Sequence, residues 1–254
     1  MNLADILNDA DLDFNDVKII FKKISDKIDN KDYSKKLNVL FEFALQNDLS
    51  LFPKIKGIHS SSSPSETAFL YLKRWSNSYI NSRNNLTINS SLKNYGEVDN
   101  ALISRVAAIN YVDKDTLEKY ITGHFLFMSA ENRNGTILEE YLAQVLEPYG
   151  WIWCAGSSYR AIDFCYLGKN PILLQVKNKY NTENSSSSAI RLGTTIQKWN
   201  RLKRPRAKEP NKTIPNWDVL QKIVKADTEL ASQLSEEAYL NYIFKNAAQD
   251  VLEL

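Results

Sequence analysis

Two short apolar segments joined by a turn constrain the fold more strongly than any other part of this chain. They cover residues 161–167 and 171–179, with a Gly-Lys-Asn turn between them. Segments of this length and composition, bounded by turn residues, are typical of neighbouring β-strands. Side chains alternate between the two faces of a strand, so Gln175 and Lys177 should point the same way, roughly 7 Å apart. The sequence therefore predicts a β-hairpin with polar groups gathered on one face.

Asp163 lies on the first of these strands and can reach the same point from the side. A carboxylate and an amide oxygen suit a hard divalent cation, and the backbone carbonyl of Val176 could add a third oxygen. Lys177 could orient or deprotonate the water that such a cation activates. Alone, Asp163 could also be a turn residue and Gln175 a satisfied strand amide. Together they predict a metal-dependent phosphodiester hydrolase acting on DNA.

The charge distribution supports a polyanionic partner. Residues 160–212 contain twelve Lys or Arg and three acids, a net charge of +9 in a chain whose total is +2. The rest of the chain is therefore acidic. A basic segment that includes the predicted metal site favours a DNA-binding face, although a basic surface loop without function would have the same composition.

Several other protein classes are excluded by composition and motifs. No run of 18 apolar residues exists, and the acidic N-terminus lacks a signal-peptide core. Cys154 and Cys165 without CxxC spacing argue against a disulfide framework or a zinc site. No P-loop and no histidine cluster of the ββα-metal nuclease kind is present. We expect an intracellular, cytoplasmic protein without a membrane partner.

Apolar periodicity predicts an α/β fold with a mostly helical N-terminal part. We expect three segments: residues 1–130 as a helical subdomain packed on the core, 131–225 as the catalytic core, and 226–254 as a C-terminal helix. Irregular structure is expected where Asn and Ser are frequent. Helices are predicted within 1–50, from about 65, over 99–109, over 114–128 and from 134, with a loop over 77–94. Strands are predicted over 151–154 and in the hairpin, and a short basic helix from 194.

Two adjacent glutamates compete for a site position on the helix that precedes the strands. Averaged over its six large apolar residues between Ile137 and Leu146, the apolar stripe centres near Val145, and Glu139 lies about 110° and Glu140 about 150° from that centre around the helix. Glu139 is therefore closer to the core edge. We expect Glu139 at the site and Glu140 in solvent.

These residues in this order resemble the PD-(D/E)xK nuclease superfamily. The resemblance is carried by Gly135-x-x-x-Glu139, Gly150-Trp151, Asp163 and Gln175-Val-Lys177. It implies a central mixed sheet flanked by helices, and catalysis by Glu139, Asp163, Gln175 and Lys177 with Mg²⁺. The chain departs from the pattern at Ile162, where Pro is usual, and at Gln175, where an acid is usual. The Gly-to-Glu spacing also resembles archaeal Holliday-junction resolvases.

A narrower resemblance covers residues 135–201. The run 146–154, the run 174–178, the serines from 185, Gly193-Thr194 and Lys198-Trp199 resemble the SinI-type family of type II restriction endonucleases. This implies a homodimer that cuts both strands of a short near-palindromic site, GGWCC-like, leaves 5′-phosphates, and is paired with a cognate DNA methyltransferase. The alternatives are a structure-specific nuclease such as a Holliday-junction resolvase, or a DNA-binding protein without catalytic activity.

DNA contacts are expected from the segment after the hairpin. Hydroxyl, amide and guanidinium groups can bind base edges, whereas Lys and Arg side chains in general bind phosphates. A serine run can equally be only a flexible loop. The predicted base-reading residues are Ser185, Ser186, Ser187, Ser188, Arg191, Thr194, Thr195, Lys198 and Arg201, and the predicted phosphate contacts are Lys203, Arg204 and Arg206.

Overall fold

A computed structural model describes residues 1–8, 12–59, 63–92, 97–179 and 196–247. Its N-terminal part is helical, as the periodicity predicts. The helices are α1 (Leu3–Asn8), α2 (Phe14–Ser25), α3 (Lys31–Asn47), α4 (Pro64–Asn84), α5 (Asn100–Asn110) and α6 (Lys114–Leu146).

Local sequence sets where these helices begin. Asp13, Asn30 and Asp113 each accept hydrogen bonds from backbone N–H groups of the first turn that follows. Such side chains satisfy donors that have no partner within the helix, and each contributes about 1 kcal/mol. In α4 the N-cap is Ser63, and Pro64 occupies the first helical position, where its missing N–H costs nothing.

The C-terminal half contains the strands. These are β1 (Ile152–Trp153), β2 (Phe164–Tyr166), β3 (Ile172–Lys177), β4 (Ile196–Asn200), β5 (Leu202–Lys203) and β6 (Ile214–Pro215), followed by α7 (Trp217–Val224), α8 (Thr228–Gln233) and α9 (Glu236–Asn246).

The main sheet has the order β1-β2-β3-β4 and is mixed. The β1–β2 and β2–β3 pairs are antiparallel, which confirms the predicted hairpin, and Phe164 lies opposite Leu174. Strand β4 runs parallel to β3, with Gln175 opposite Lys198. The α/β class and the mixed sheet are therefore confirmed, and the fold is compatible with a restriction-endonuclease core.

The predicted basic helix from residue 194 is wrong. Residues 196–200 form β4, and residues 194 and 195 lie outside the described range. The reason is tertiary: Trp199 is buried, and its indole N–H donates to the carbonyl of Asn216 at 2.8 Å. Pairing with β3 satisfies the backbone of this segment better than an isolated, highly charged helical turn could.

Two helix boundaries also differ from expectation. The residues from 77 to 84, predicted to be irregular, continue α4, because Trp75 and Tyr79 bury one face while the Asn residues point outward. The helices predicted over 114–128 and from 134 form the single helix α6, which passes through Gly135. One interior glycine costs only about 1 kcal/mol relative to alanine.

The N-terminal helices hold the connection between β1 and β2. The Trp75 indole donates to the carbonyl of Ser158 at 2.8 Å, and the Arg160 backbone N–H donates to Leu51 at 2.7 Å. A Cβ on Gly156 would lie 2.3 Å from the carbonyl oxygen of Ser78, so only glycine permits this approach. One hydrophobic core joins both halves, and α6 crosses the boundary at 130/131; the three-segment division stays a prediction.

Among the helices of the described ranges, none combines the length and the apolar character that crossing a bilayer requires.

Candidate active site

Asp163 is fixed at the junction of three strands, immediately before β2. Its N–H donates to Leu174 at 2.9 Å, and its carbonyl accepts from Cys154 at 2.8 Å. Its carboxylate Oδ2 accepts from the backbone N–H of Val176 at 2.7 Å. The side chain therefore meets β3 between Gln175 and Lys177, where the hairpin pattern placed it.

Gln175 and Lys177 lie on the same face of β3 but in different environments. Gln175 is 2% exposed, and within the described part of the chain its Oε1 has no hydrogen-bond partner. A buried acceptor without a partner costs about 1–3 kcal/mol. A hard cation would bind such an oxygen. The missing hydrogen bond also argues against the alternative that Gln175 is an ordinary strand amide with all its hydrogen bonds made. Lys177 is half-buried.

Glu139 of α6 reaches the same group of residues. The indole N–H of Trp153 donates to its Oε2 at 3.1 Å. Burial, and secondly the charge of Asp163, raise the pKa of the Glu139 carboxyl from 4.5 to about 8, against opposing effects of Trp153 and Lys177. The structure thus brings Glu139, Asp163 and Lys177 within electrostatic reach of one another.

Helical geometry predicts that Glu140 lies in solvent, and this prediction is wrong. It is 4% exposed, and its Oε2 accepts from the backbone N–H of Ile88 at 3.0 Å. Its Oε1 accepts from the N–H of Thr87. Glu140 therefore caps the 3₁₀ turn Thr87–Asn89, a partner about 50 residues away that the helical wheel cannot show.

The carboxyl groups of Glu139 and Asp163 together favour the binding of a cation. Burial raises the pKa of Asp163, and the Val176 N–H and Lys177 only partly offset it. Two half-buried acids facing one lysine cannot both ionise cheaply without further positive charge. In the described ranges no group of three or more His, Cys, Asp or Glu forms a metal cluster. A cation here would instead use the Asp163 carboxylate, Gln175 Oε1 and the Val176 carbonyl, which are all hard oxygen donors.

The raised pKa of Glu139 predicts a pH-dependent stability. In EDTA, the free energy of unfolding should fall as the pH rises from about 4.5 to about 8, because the folded state holds the proton more tightly than the unfolded state. Glu139→Gln should flatten this slope, and urea unfolding at several pH values measures it. Glu118→Gln, which removes an exposed carboxylate from the same helix, is the control and should keep the wild-type slope. An unchanged slope in Glu139→Gln would contradict the buried carboxyl.

A network that the sequence pattern did not reveal holds Trp153 in place. The Glu147 carboxylate accepts from the Trp153 backbone N–H at 3.2 Å, from Lys36 at 2.7 Å and from both terminal nitrogens of Arg83. Arg83 lies against the rings of Tyr79 and Trp153 and also donates to the Trp153 carbonyl. The N-terminal helices thereby orient the indole that binds Glu139. Apart from the Trp-rich run 151–153, no local signal marks these residues.

The predicted DNA contacts are only partly described. Ser185, Ser186, Ser187, Ser188, Arg191, Thr194 and Thr195 lie outside the described residues. Lys198 lies on β4 in register with Gln175, Lys203 pairs with Asp218 at 3.1 Å, and Arg204 and Arg206 are exposed.

Arg201 has an internal position. Its Nε donates to Asn178 at 2.7 Å, its terminal nitrogen pairs with Glu236, and its guanidinium lies over the ring of Tyr239. This arrangement favours a packing role for Arg201 over the base contact expected from the sequence.

Comparison with known proteins adds an independent finding. A family model described as SinI restriction endonuclease matches residues 18–248. A 125-residue segment is 48% identical to the type II restriction enzyme Eco47I of Escherichia coli, covering 48% of this chain and 52% of that protein. A 106-residue segment is 44% identical to the type II restriction enzyme SinI of Salmonella infantis, covering 40% of this chain and 46% of that protein. These alignments span about half the length of each relative, whereas the family match extends far N-terminal of residue 135.

Proposed function

The chain belongs to the SinI restriction endonuclease family, and we propose that it acts as a type II restriction endonuclease on double-stranded DNA. Its reaction is the Mg²⁺-dependent hydrolysis of one phosphodiester in each strand of a short near-palindromic site. The observation that carries the proposal is the meeting of Asp163, Gln175 and Lys177 on the hairpin, beside Glu139 of α6. The order α6, β1, β2, β3 and parallel β4 suits a PD-(D/E)xK core.

Magnesium fits the oxygen donors of this site. Asp163, Gln175 Oε1 and the Val176 carbonyl would hold it, and the unpartnered Gln175 oxygen supports this assignment. When bound, the cation would withdraw charge from the scissile phosphate and make a nearby water more acidic. The neutral Gln175 contributes no charge, so Asp163 supplies the negative charge among the three donors.

The remaining chemistry falls to the side chains of the chain itself. Lys177 orients the attacking water and offsets the negative charge that develops on phosphorus. Water attacks in line, its oxygen bonds to phosphorus, and the 3′-oxygen leaves and takes a proton. The products are a 5′-phosphate and a 3′-hydroxyl. Burial and the charge of Asp163 raise the pKa of Glu139 to about 8, and a bound cation would lower it.

DNA affinity is assigned to the basic segment. We assign Lys203, Arg204 and Arg206 to DNA phosphates, because phosphate contacts supply affinity independent of sequence. The proposed site is GGWCC-like, on the strength of the family resemblance. Such an enzyme would act as a homodimer on DNA in the bacterial cytoplasm, and a cognate methyltransferase would protect the host DNA.

Incubation of the purified protein with unmethylated phage DNA, with Mg²⁺ or with EDTA, tests the proposal. Discrete bands that require Mg²⁺ are expected, and sequencing their ends gives the site, the stagger and the terminal phosphates. Cutting confined to branched DNA would instead indicate a junction resolvase. Salt-sensitive DNA binding without cleavage, in Mg²⁺ or Mn²⁺, would indicate a binding protein, for which Gln175 in place of an acid is the motivating observation.

A further inference from the structure

A long helical projection extends from the core between residues 97 and 128. It comprises the segment before α5, α5 itself and the first half of α6, and is called the arm below. No described residue of the arm is buried, and the first buried residue of α6 is Ser129. The second half of α6 packs into the core through Leu138, Leu142 and Leu146. Helix α6 therefore packs into the core along its C-terminal half, whereas none of its residues 114–128 is buried.

The arm is nonetheless strongly apolar on one side. Taking about 100° per residue, the apolar residues Leu117, Tyr120, Ile121, Phe127 and Met128 of α6 lie within an arc of roughly 120°. All of these except Phe127 line a groove of about 420 Å³ between the two helices, together with Leu102, Ile103 and Val106 of α5. His124 lies at the centre of the α6 stripe. An apolar stripe of this width at helical spacing is normally covered by another element.

The exposed apolar area is large enough for a stable interface. Phe127 is 80% exposed, Leu102 58% and Tyr120 56%, and Val98, Ile109 and Met128 are also exposed. With about 150–250 Å² for a fully exposed side chain, these six residues present on the order of 500–900 Å² of apolar surface. Standard dimer interfaces bury about 800 Å² per partner, and soluble monomers rarely leave such a patch uncovered.

Charge argues against DNA as the occupant of the groove. Between residues 97 and 128 the arm carries five acids and three Lys or Arg, in contrast to the strongly basic segment 160–212. A polyanion would be weakly repelled, whereas two copies with this small net charge would not repel each other strongly. An isologous contact also needs only one self-complementary patch, and the arm supplies one.

We propose that the arm of a second copy of this chain docks in this groove, so that two arms form the dimer interface of the enzyme. The inference rests on the proposed function, since concerted cutting of both strands of a near-palindromic site requires two active sites. Helix α6 spans about 50 Å and bears Glu139 eleven residues beyond Met128. Dimerisation through the arm would therefore set the separation of the two catalytic centres through a rigid helix.

Sedimentation equilibrium of the full chain tests the interface directly. The wild type should be a dimer at micromolar concentration, and Tyr120→Glu and Leu102→Glu should each raise the dimer dissociation constant at least about 30-fold. Both side chains are exposed in the single chain, so the variants should keep the wild-type circular dichroism. Phe244→Glu, at a site 87% exposed outside the arm, is the matched control and should remain dimeric.

Monomeric wild type, or arm variants that dimerise as well as wild type, would overturn the proposal. So would dissociation by Phe244→Glu alone. Cleavage separates this inference from the proposed function: below their new dissociation constants, the arm variants should nick plasmid DNA without concerted double-strand cutting. A wild type that dimerises through the arm but cuts no DNA would leave the interface standing and refute the nuclease assignment.

Discussion

Asp163→Asn is expected to lower the rate of DNA cleavage by about 10³-fold or more while DNA binding persists. The variant removes the charged oxygen ligand from a set in which Gln175 and the Val176 carbonyl are neutral. Metal-assisted stabilisation of a phosphoryl transition state contributes several kcal/mol, which corresponds to this loss of rate. Single-turnover cleavage at saturating enzyme measures it, and filter binding in Ca²⁺ measures retained affinity.

The same variant should not destabilise the protein. Asparagine keeps an acceptor for the Val176 N–H. Because burial raises the pKa of Asp163, its ionised form costs folding free energy, and replacing it by a neutral amide removes that cost. In EDTA near neutral pH the melting temperature should therefore be unchanged or higher. Asp218→Asn, at an exposed pair with Lys203, is the control and should cut at nearly the wild-type rate. Full activity in Asp163→Asn would refute the proposed metal site.

Lys177→Ala is expected to reduce cleavage by about 10²–10⁴-fold, the range in which a positioned charge or acid–base group contributes. Lys177 is the cation whose charge acts on both Asp163 and Glu139. Its removal leaves the attacking water without orientation and the developing charge on phosphorus without a partner. The effect should fall on the chemical step, so single-turnover rates should drop while DNA affinity changes little.

Lys179→Ala provides the matched control for Lys177→Ala. Lys179 follows two residues later, but its ammonium pairs with Glu131 at 2.6 Å at the exposed surface. Exposed pairs of this kind contribute about 1 kcal/mol or less. We expect a change of a few-fold at most in binding and almost none in the chemical step. Equal losses in both variants would mean that Lys177 acts through bulk charge rather than through the site.

The local patterns predicted the part of the site that lies on the hairpin. Strand alternation placed Gln175 and Lys177 on one face, and the turn between the strands brought Asp163 to them. Both inferences depend on neighbours within about fifteen residues, so a single sequence contains the information they need. The choice of Glu139 over Glu140 agrees with the contacts of Glu139, because the apolar stripe of the helix marks the edge that faces the core.

Two local predictions are wrong because a distant segment supplies the partner. Glu140 was expected in solvent, yet the backbone of residues 87 and 88 takes it as a cap. The segment from Thr194 is predicted to be helical, yet its residues 196–200 pair with β3 as a parallel strand. In each case a tertiary contact outweighs a local preference of about 1 kcal/mol or less.

By itself, the sequence determined the hairpin, its acid, amide and lysine, the helical N-terminal part and the basic segment, because each follows from residue order over a few turns or strands. Only the tertiary structure decided the raised pKa of Glu139, the burial of Glu140 and the support of Trp153 by Arg83 and Glu147. It also decided that half of α6 projects as an apolar arm. Burial and pairing between distant residues set these properties, and neither can be inferred from local periodicity.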